Sequence, residues 1–147
     1  MKLVLVFKHC LAMAVLPLLL MFPLVSPLND EGKALIFSVV SLNLSNLNLG
    51  GEISPAIGDL RNLQSIDFQG NKLTGQIPEE IGNCASLFNL DLSDNLLYGD
   101  IPFSISRLKQ LDTLNLKSNQ LTGPIPSTLT QLPNLKTLDL AKNQLTG

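Results

Sequence analysis

Few side chains in this sequence could do chemistry, and their spacing keeps them from meeting. The single histidine is His9 and the cysteines are Cys10 and Cys84. Nucleophilic catalysis needs a Ser or Cys beside a base, and no GxSxG stretch occurs. Lys33 follows Gly32 but lacks the upstream glycine and the following Ser or Thr of a phosphate-binding loop. The carboxylates tell more. Asp67, Asp91 and Asp139 lie at multiples of 24 residues, so they form a column and do not converge on one point. Such a column suits a basic peptide, or serves only solubility. No catalysis, cofactor or metal is expected.

The interval that spaces these acids runs through the whole chain. Leu60, Cys84, Leu108 and Leu132 are 24 apart, as are Asn71, Asn95, Asn119 and Asn143, and Gly51, Gly75, Gly99, Gly123 and Gly147. Units therefore run about 36–59, 60–83, 84–107 and 108–131, with a partial fifth over 132–147. Each later unit reads LxxLxxLxLxxNxLxGxIPxxI. The LxL core alternates, which sends Ile66 and Phe68, Leu90 and Leu92, and Leu114 and Leu116 to one face of a short strand. No unit can bury its own leucines, so units must stack and share one core.

Other columns punctuate the coil. An Asn after each strand can satisfy backbone groups where the chain turns, so Asn71, Asn95, Asn119 and Asn143 are expected to form a structural ladder. The first unit carries Leu47 in that column, so the ladder should begin at the second. The glycines permit a tight bend, and Pro78, Pro102 and Pro126 fix the next segment as extended. Ser54 takes the proline column in the first unit, with Pro55 one later.

Ahead of the repeats, Lys2 and Lys8 precede an apolar run from Cys10 to Val25. That pattern reads as a secretory signal peptide over about 1–28, with cleavage after Ser26; an uncleaved anchor is the rival reading. Ten Lys and Arg, two of them in the leader, leave eight against twelve Asp and Glu, a net of −4 for residues 29–147. Neither a basic stripe nor a basic amphipathic helix is present, which argues against nucleic acid and anionic membrane surfaces. With Cys10 in the leader, Cys84 stands alone. It occupies a leucine column and reads as a small buried hydrophobe.

The run LxGxIPxxI over residues 39–147 resembles plant-type leucine-rich repeats. The stretches VVSLNLSNLNLGGEISPAIGDLRNLQSIDFQGNKLTGQIPEEIGNCASL and LLYGDIPFSISRLKQLDTLNLKSNQLTGPIPSTLTQLPNLKTLDL are similar to the first repeats of the ERECTA family of plant receptor-like kinases. The resemblance implies an α/β leucine-rich repeat solenoid with a parallel concave sheet and a convex side of turns and short helical segments. It also implies an ectodomain outside the cell, a single membrane span and a cytoplasmic Ser/Thr kinase. The family perceives secreted cysteine-rich peptides with a receptor-like co-receptor, in control of stomatal patterning and organ growth. Family ectodomains begin with a cap like Glu31-Gly32-Lys33-Ala34-Leu35 and continue through a Trp and a cysteine pair. Here EGKALI runs straight into FSVVSLNL, so residues 29–38 read as a cap remnant. The sequence stops at Gly147 within the fifth unit, and is read as a truncated product without signalling capacity. A freestanding secreted repeat protein, such as an inhibitor of microbial cell-wall enzymes, is the alternative.

Binding residues follow from the strand register. Solvent-facing positions of the central strands are Ser65, Asp67 and Gln69, then Asn89, Asp91 and Ser93, then Thr113, Asn115 and Lys117. Phe88, Tyr98 and Phe103 fall in one repeat and suggest a local aromatic patch; Phe88 and Tyr98 join the candidate ligand-facing set. One glycosylation sequon is present, Asn43-Leu44-Ser45, on the concave side of the first strand.

Overall fold

The computed structural model describes residues 39–146; the leader, the cap remnant and Gly147 lie outside the described residues. Seven three-residue strands occur: β1 (Ser41–Asn43), β2 (Ser65–Asp67), β3 (Asn89–Asp91), β4 (Tyr98–Asp100), β5 (Thr113–Asn115), β6 (Gln120–Thr122) and β7 (Thr137–Asp139). Five of them form one parallel sheet in the order β1-β2-β3-β5-β7. Its register is one whole repeat at every step, with Ser41 beside Ser65, Ser65 beside Asn89, Asn89 beside Thr113 and Thr113 beside Thr137. The middle residue of each inner strand, Ile66, Leu90 or Leu114, is fully buried. A one-residue slip would put that whole set of side chains in water, so the apolar pattern fixes the register.

Each coil passes from its strand through a turn, across a flank, and back over a 3-10 turn. The flank carries a smaller parallel sheet of β4 and β6. The 3-10 turns are Pro55–Asp59, Glu79–Asn83, Phe103–Arg107 and Ser127–Gln131. Pro78, Pro102 and Pro126 stand in extended conformation just before the last three, where a missing N–H costs no helical bond. In the first turn Ser54 takes that place, and its hydroxyl accepts from the Ala56 N–H at 3.3 Å. Ile57, Ile81, Ile105 and Leu129 point from these turns into the core. Burying a side chain of that size contributes roughly 1.5–3 kcal/mol.

Between coils, two contacts control the spacing. On the convex side Gly82 lies under Ser104, so close that a Cβ would fall 2.5 Å from the Ser104 carbonyl oxygen; Gly58 lies under Glu80 in the same way. On the other side is the asparagine ladder. The Asn95 Oδ1 accepts from the N–H groups of Asn71 and Leu73, at 3.0 and 2.9 Å. Its Nδ2 donates to the carbonyls of Phe68, Leu92 and Ser93. Asn71, Asn119 and Asn143 repeat the pattern, each reaching back one coil; Asn71 serves the first unit through Leu47, Leu49 and Leu44. Just before each ladder position the chain is left-handed, at Gly70, Asp94, Ser118 and Lys142.

Two substitutions separate these controls. Asn95→Ala leaves several buried backbone groups without partners and should cost roughly 3 kcal/mol, read as a lower urea midpoint. Gly82→Ala should cost about 1–3 kcal/mol through overpacking, although Gly82 has an ordinary backbone conformation. An unchanged midpoint in either variant would contradict the corresponding contact.

Candidate protein-binding face

The concave sheet arranges its polar side chains in rows along the solenoid. In the first row the Asn89 amide donates to the Ser65 hydroxyl at 3.1 Å, and Thr113 follows. The middle row runs Asn43, Asp67, Asp91, Asn115 and Asp139. Here one carboxyl or amide oxygen folds over the end of its own strand: the Oδ1 of Asp67 accepts from the Gln69 N–H, that of Asn115 from the Lys117 N–H, and that of Asp139 from the Ala141 N–H. These are Asx turns, which explain why only Asp or Asn holds the column. Asp67 and Asp91 are neighbours of like charge, and the Asn115 amide donates to Asp91 Oδ2 at 2.9 Å, which offsets part of the repulsion.

Not every expected ligand-facing residue faces solvent. Ser93 is only 1% exposed, and its hydroxyl donates to Asp91 Oδ1 at 2.6 Å. The turn takes the side chain inward, so Ser93 supports Asp91 and offers nothing to a partner. Gln69, half-buried, spans to the next coil through its amide, which donates to Asp94 at 3.1 Å. Lys117 is the one cation among the candidate concave positions and is half-buried as well. What the rows present is therefore Ser65, Asp67, Gln69, Asn89, Asp91, Thr113, Asn115 and Lys117, a polar strip held in register by its own hydrogen bonds.

The aromatic residues do not make one patch. Phe88 is exposed at the entry to β3, where its backbone pairs with Gln64, Asp112 and Thr113. Tyr98 lies in β4, on the flank and outside the concave sheet, and Phe103 opens the 3-10 turn after it. Tyr98 and Phe103 line a common groove that Phe88 does not reach. Phe88 is separated from the other two because the coil turns into the flank after β3. Missed from the sequence was the column one after the glycines, Glu52, Gln76 and Asp100, whose side chains lie over Gly75, Gly99 and Gly123 of the next coil. The 24-residue interval already placed them together.

Asn43 sits exposed on β1, and its Oδ1 accepts from the Ser45 hydroxyl at 3.3 Å. Cys84 is buried, and its thiol donates to the Ile57 carbonyl at 3.3 Å. Burial pushes that thiol above its ordinary pKa. Across the rim of the sheet, a hydrogen bond from Lys136 holds the Asp112 carboxyl below its usual value. Among the described residues no group of three or more His, Cys, Asp or Glu could hold a metal, and no helix is long and apolar enough to cross a membrane.

Family models for leucine-rich repeats match residues 38–60, 62–84 and 86–108, and a further leucine-rich repeat model matches 102–145. The chain belongs to the leucine-rich repeat family. Within it, short stretches of the repeats are similar to ERECTA-type receptor-like kinases of plants. The LRR receptor-like serine/threonine-protein kinase ERL1 of Arabidopsis thaliana is 94% identical over 31 residues, covering 21% of this chain and 3% of that protein. ERECTA itself, from the same plant, is 74% identical over 35 residues, covering 24% of this chain and 4% of that protein. The matches thus span a few per cent of the length of these curated relatives. Among solved structures, the Arabidopsis thaliana BIR3–SERK2 complex is similar with a TM-score of 0.72 and 44% identity over 75% of this chain and 59% of that one. The plant peptide hormone receptor RGFR1 in complex with RGF2 also gives 0.72, with 42% identity over 74% of this chain and 17% of that one.

The buried cysteine supplies a check on the repeat core. Because the thiol pKa is raised, little thiolate forms near pH 8, and Cys84 should resist Ellman's reagent in the folded chain and react on adding urea. Immediate reaction without denaturant would mean that the Ile57 and Cys84 layer is open.

Proposed function

We propose that these repeats are part of the extracellular ligand-binding region of a plant receptor-like Ser/Thr kinase of ERECTA type. The concave strip takes a secreted cysteine-rich peptide, with a receptor-like co-receptor completing the complex in developmental signalling. The observation that carries this reading is the strip itself: polar side chains on rigid strands, spaced by one repeat and preorganised by cross-coil hydrogen bonds. Preorganisation matters because side chains already held in place lose little entropy on binding. The identity of 94% to ERL1 over 31 residues and of 74% to ERECTA over 35 supports the type of receptor. RGFR1, solved with RGF2, and SERK2, solved with BIR3, support the kinds of partner. Such a region works outside the cell or at the plasma membrane, where the leader read from Lys2 to Val25 would deliver it.

The test uses the corresponding receptor ectodomain and its secreted peptides. Asn89→Arg and Lys117→Glu alter half-buried side chains of the strip without touching the ladder, and each should weaken peptide binding about tenfold, roughly 1.4 kcal/mol, in calorimetry. Ser93→Ala should leave affinity nearly unchanged. Full affinity in both charge variants would remove the concave face from peptide recognition.

Asn43 is the proposed glycosylation site, being accessible on β1. Secretion from plant cells should give a mass increment that a glycosidase removes and that Asn43→Gln abolishes. An increment that survives Asn43→Gln would move the modification elsewhere.

A further inference from the structure

The flank between the ladder and the 3-10 turns carries a second surface. A groove of about 810 Å³ runs there across three consecutive coils, from Glu52 through Gly75 and Glu80 to Tyr98 and Phe103. Gly75 and Gly99 are part of its lining. A Cβ on Gly75 would come within 2.8 Å of the Glu52 side chain, and one on Gly99 within 3.0 Å of Gln76, so any larger residue would crowd the row that edges the groove. One end is aromatic: Phe103 is 65% exposed and Tyr98 49%, large values for rings in a protein whose other apolar side chains mostly face the core. Exposed rings of that size beside a concavity commonly mark interaction sites.

Charge selects the occupant. Glu52, Glu79, Glu80 and Asp100 all line the groove, and none of the Lys or Arg among the described residues does. Among the described residues none of these four carboxylates is in an ion pair. The Ser104 N–H donates to Glu79 at 3.3 Å, which holds one of them in place. The length is also informative. Coils stack about 4.8 Å apart, so three of them span ~10 Å, enough for three or four residues of extended chain. Arginine is favoured over lysine because its planar guanidinium can fork onto a carboxylate and stack on a ring.

We propose that this flank groove docks a short, extended, arginine-bearing peptide segment of a protein partner, separately from whatever occupies the concave strip. The site is independent of the peptide reading above, since its residues lie outside the concave sheet.

The full chain, labelled with ¹⁵N, would be titrated with the pentapeptide acetyl-Gly-Arg-Pro-Arg-Gly-amide and with its twin carrying Glu for Arg. The Arg peptide should shift the amides of Gly75, Gly99, Asp100 and Phe103 saturably and leave Ser65, Asn89 and Thr113 in place. The Glu twin should shift none. The double variant Glu79→Gln/Glu80→Gln should raise Kd at least fivefold, and Phe103→Ala should do the same without changing the charge. The control Asp59→Asn/Asp112→Asn removes two charges outside the groove and should keep the affinity. Shifts centred on the concave strip, equal Kd in the groove variants, equal weakening by the control, or no shift at millimolar peptide would each overturn the proposal. Because distant amides report the fold in the same spectra, unfolding of a variant would be seen directly, and Phe103→Ala and the Glu-to-Gln pair then serve as each other's replacement.

Discussion

The structure depends on satisfying backbone groups where a three-residue strand ends. A strand so short has little ladder of its own, and the turn after it would leave N–H and C=O groups buried without partners, a cost of several kcal/mol per coil. One asparagine per coil removes that cost by accepting two N–H groups and donating to carbonyls of its own coil and the one before. Because it reaches back one coil, the ladder ties the repeat length to the stacking. A coil lengthened by a residue would miss both. The unbroken 24-residue interval is therefore a mechanical requirement, and it is also why concave side chains from different coils fall into straight rows.

Much of this was legible in the residue columns. The strands, their parallel order, the buried LxL faces and the turn role of proline follow from alternation, spacing and the lack of a donor. The asparagine column is readable because Asn alone offers both an acceptor and two donors on so short a side chain. Less legible was anything that depends on the path between columns. Tyr98 and Phe88 are ten residues apart, yet the coil turns between them and puts them on different faces. Ser93 sits two residues after Asp91, where alternation points outward, but the Asx turn has already bent the chain and drawn the hydroxyl in. Alternation holds only while the backbone stays extended.

The left-handed column just before the ladder belongs to the same class. Gly70 fits such a conformation freely, whereas Asp94, Ser118 and Lys142 adopt it at some energetic cost. Nothing in the side chains of Ser118 or Lys142 advertises that conformation. The cost is carried because the turn must deliver the next residue's amide into the ladder, and the neighbouring coil's bonds exceed it. Local preference yields to a contact made 24 residues away.

The flank groove gathers acidic side chains on one side of the coil. Arg61, Arg107 and Lys109 stand instead at the ends of the 3-10 turns and in the loops that lead back to the strands, where Asp59 and Asp112 accompany them. Charge there is mixed, while the groove carries one sign. A patch of one sign acts on an oppositely charged partner before contact, at separations up to the ~8 Å screening length of physiological salt, so the groove can orient such a partner as it arrives.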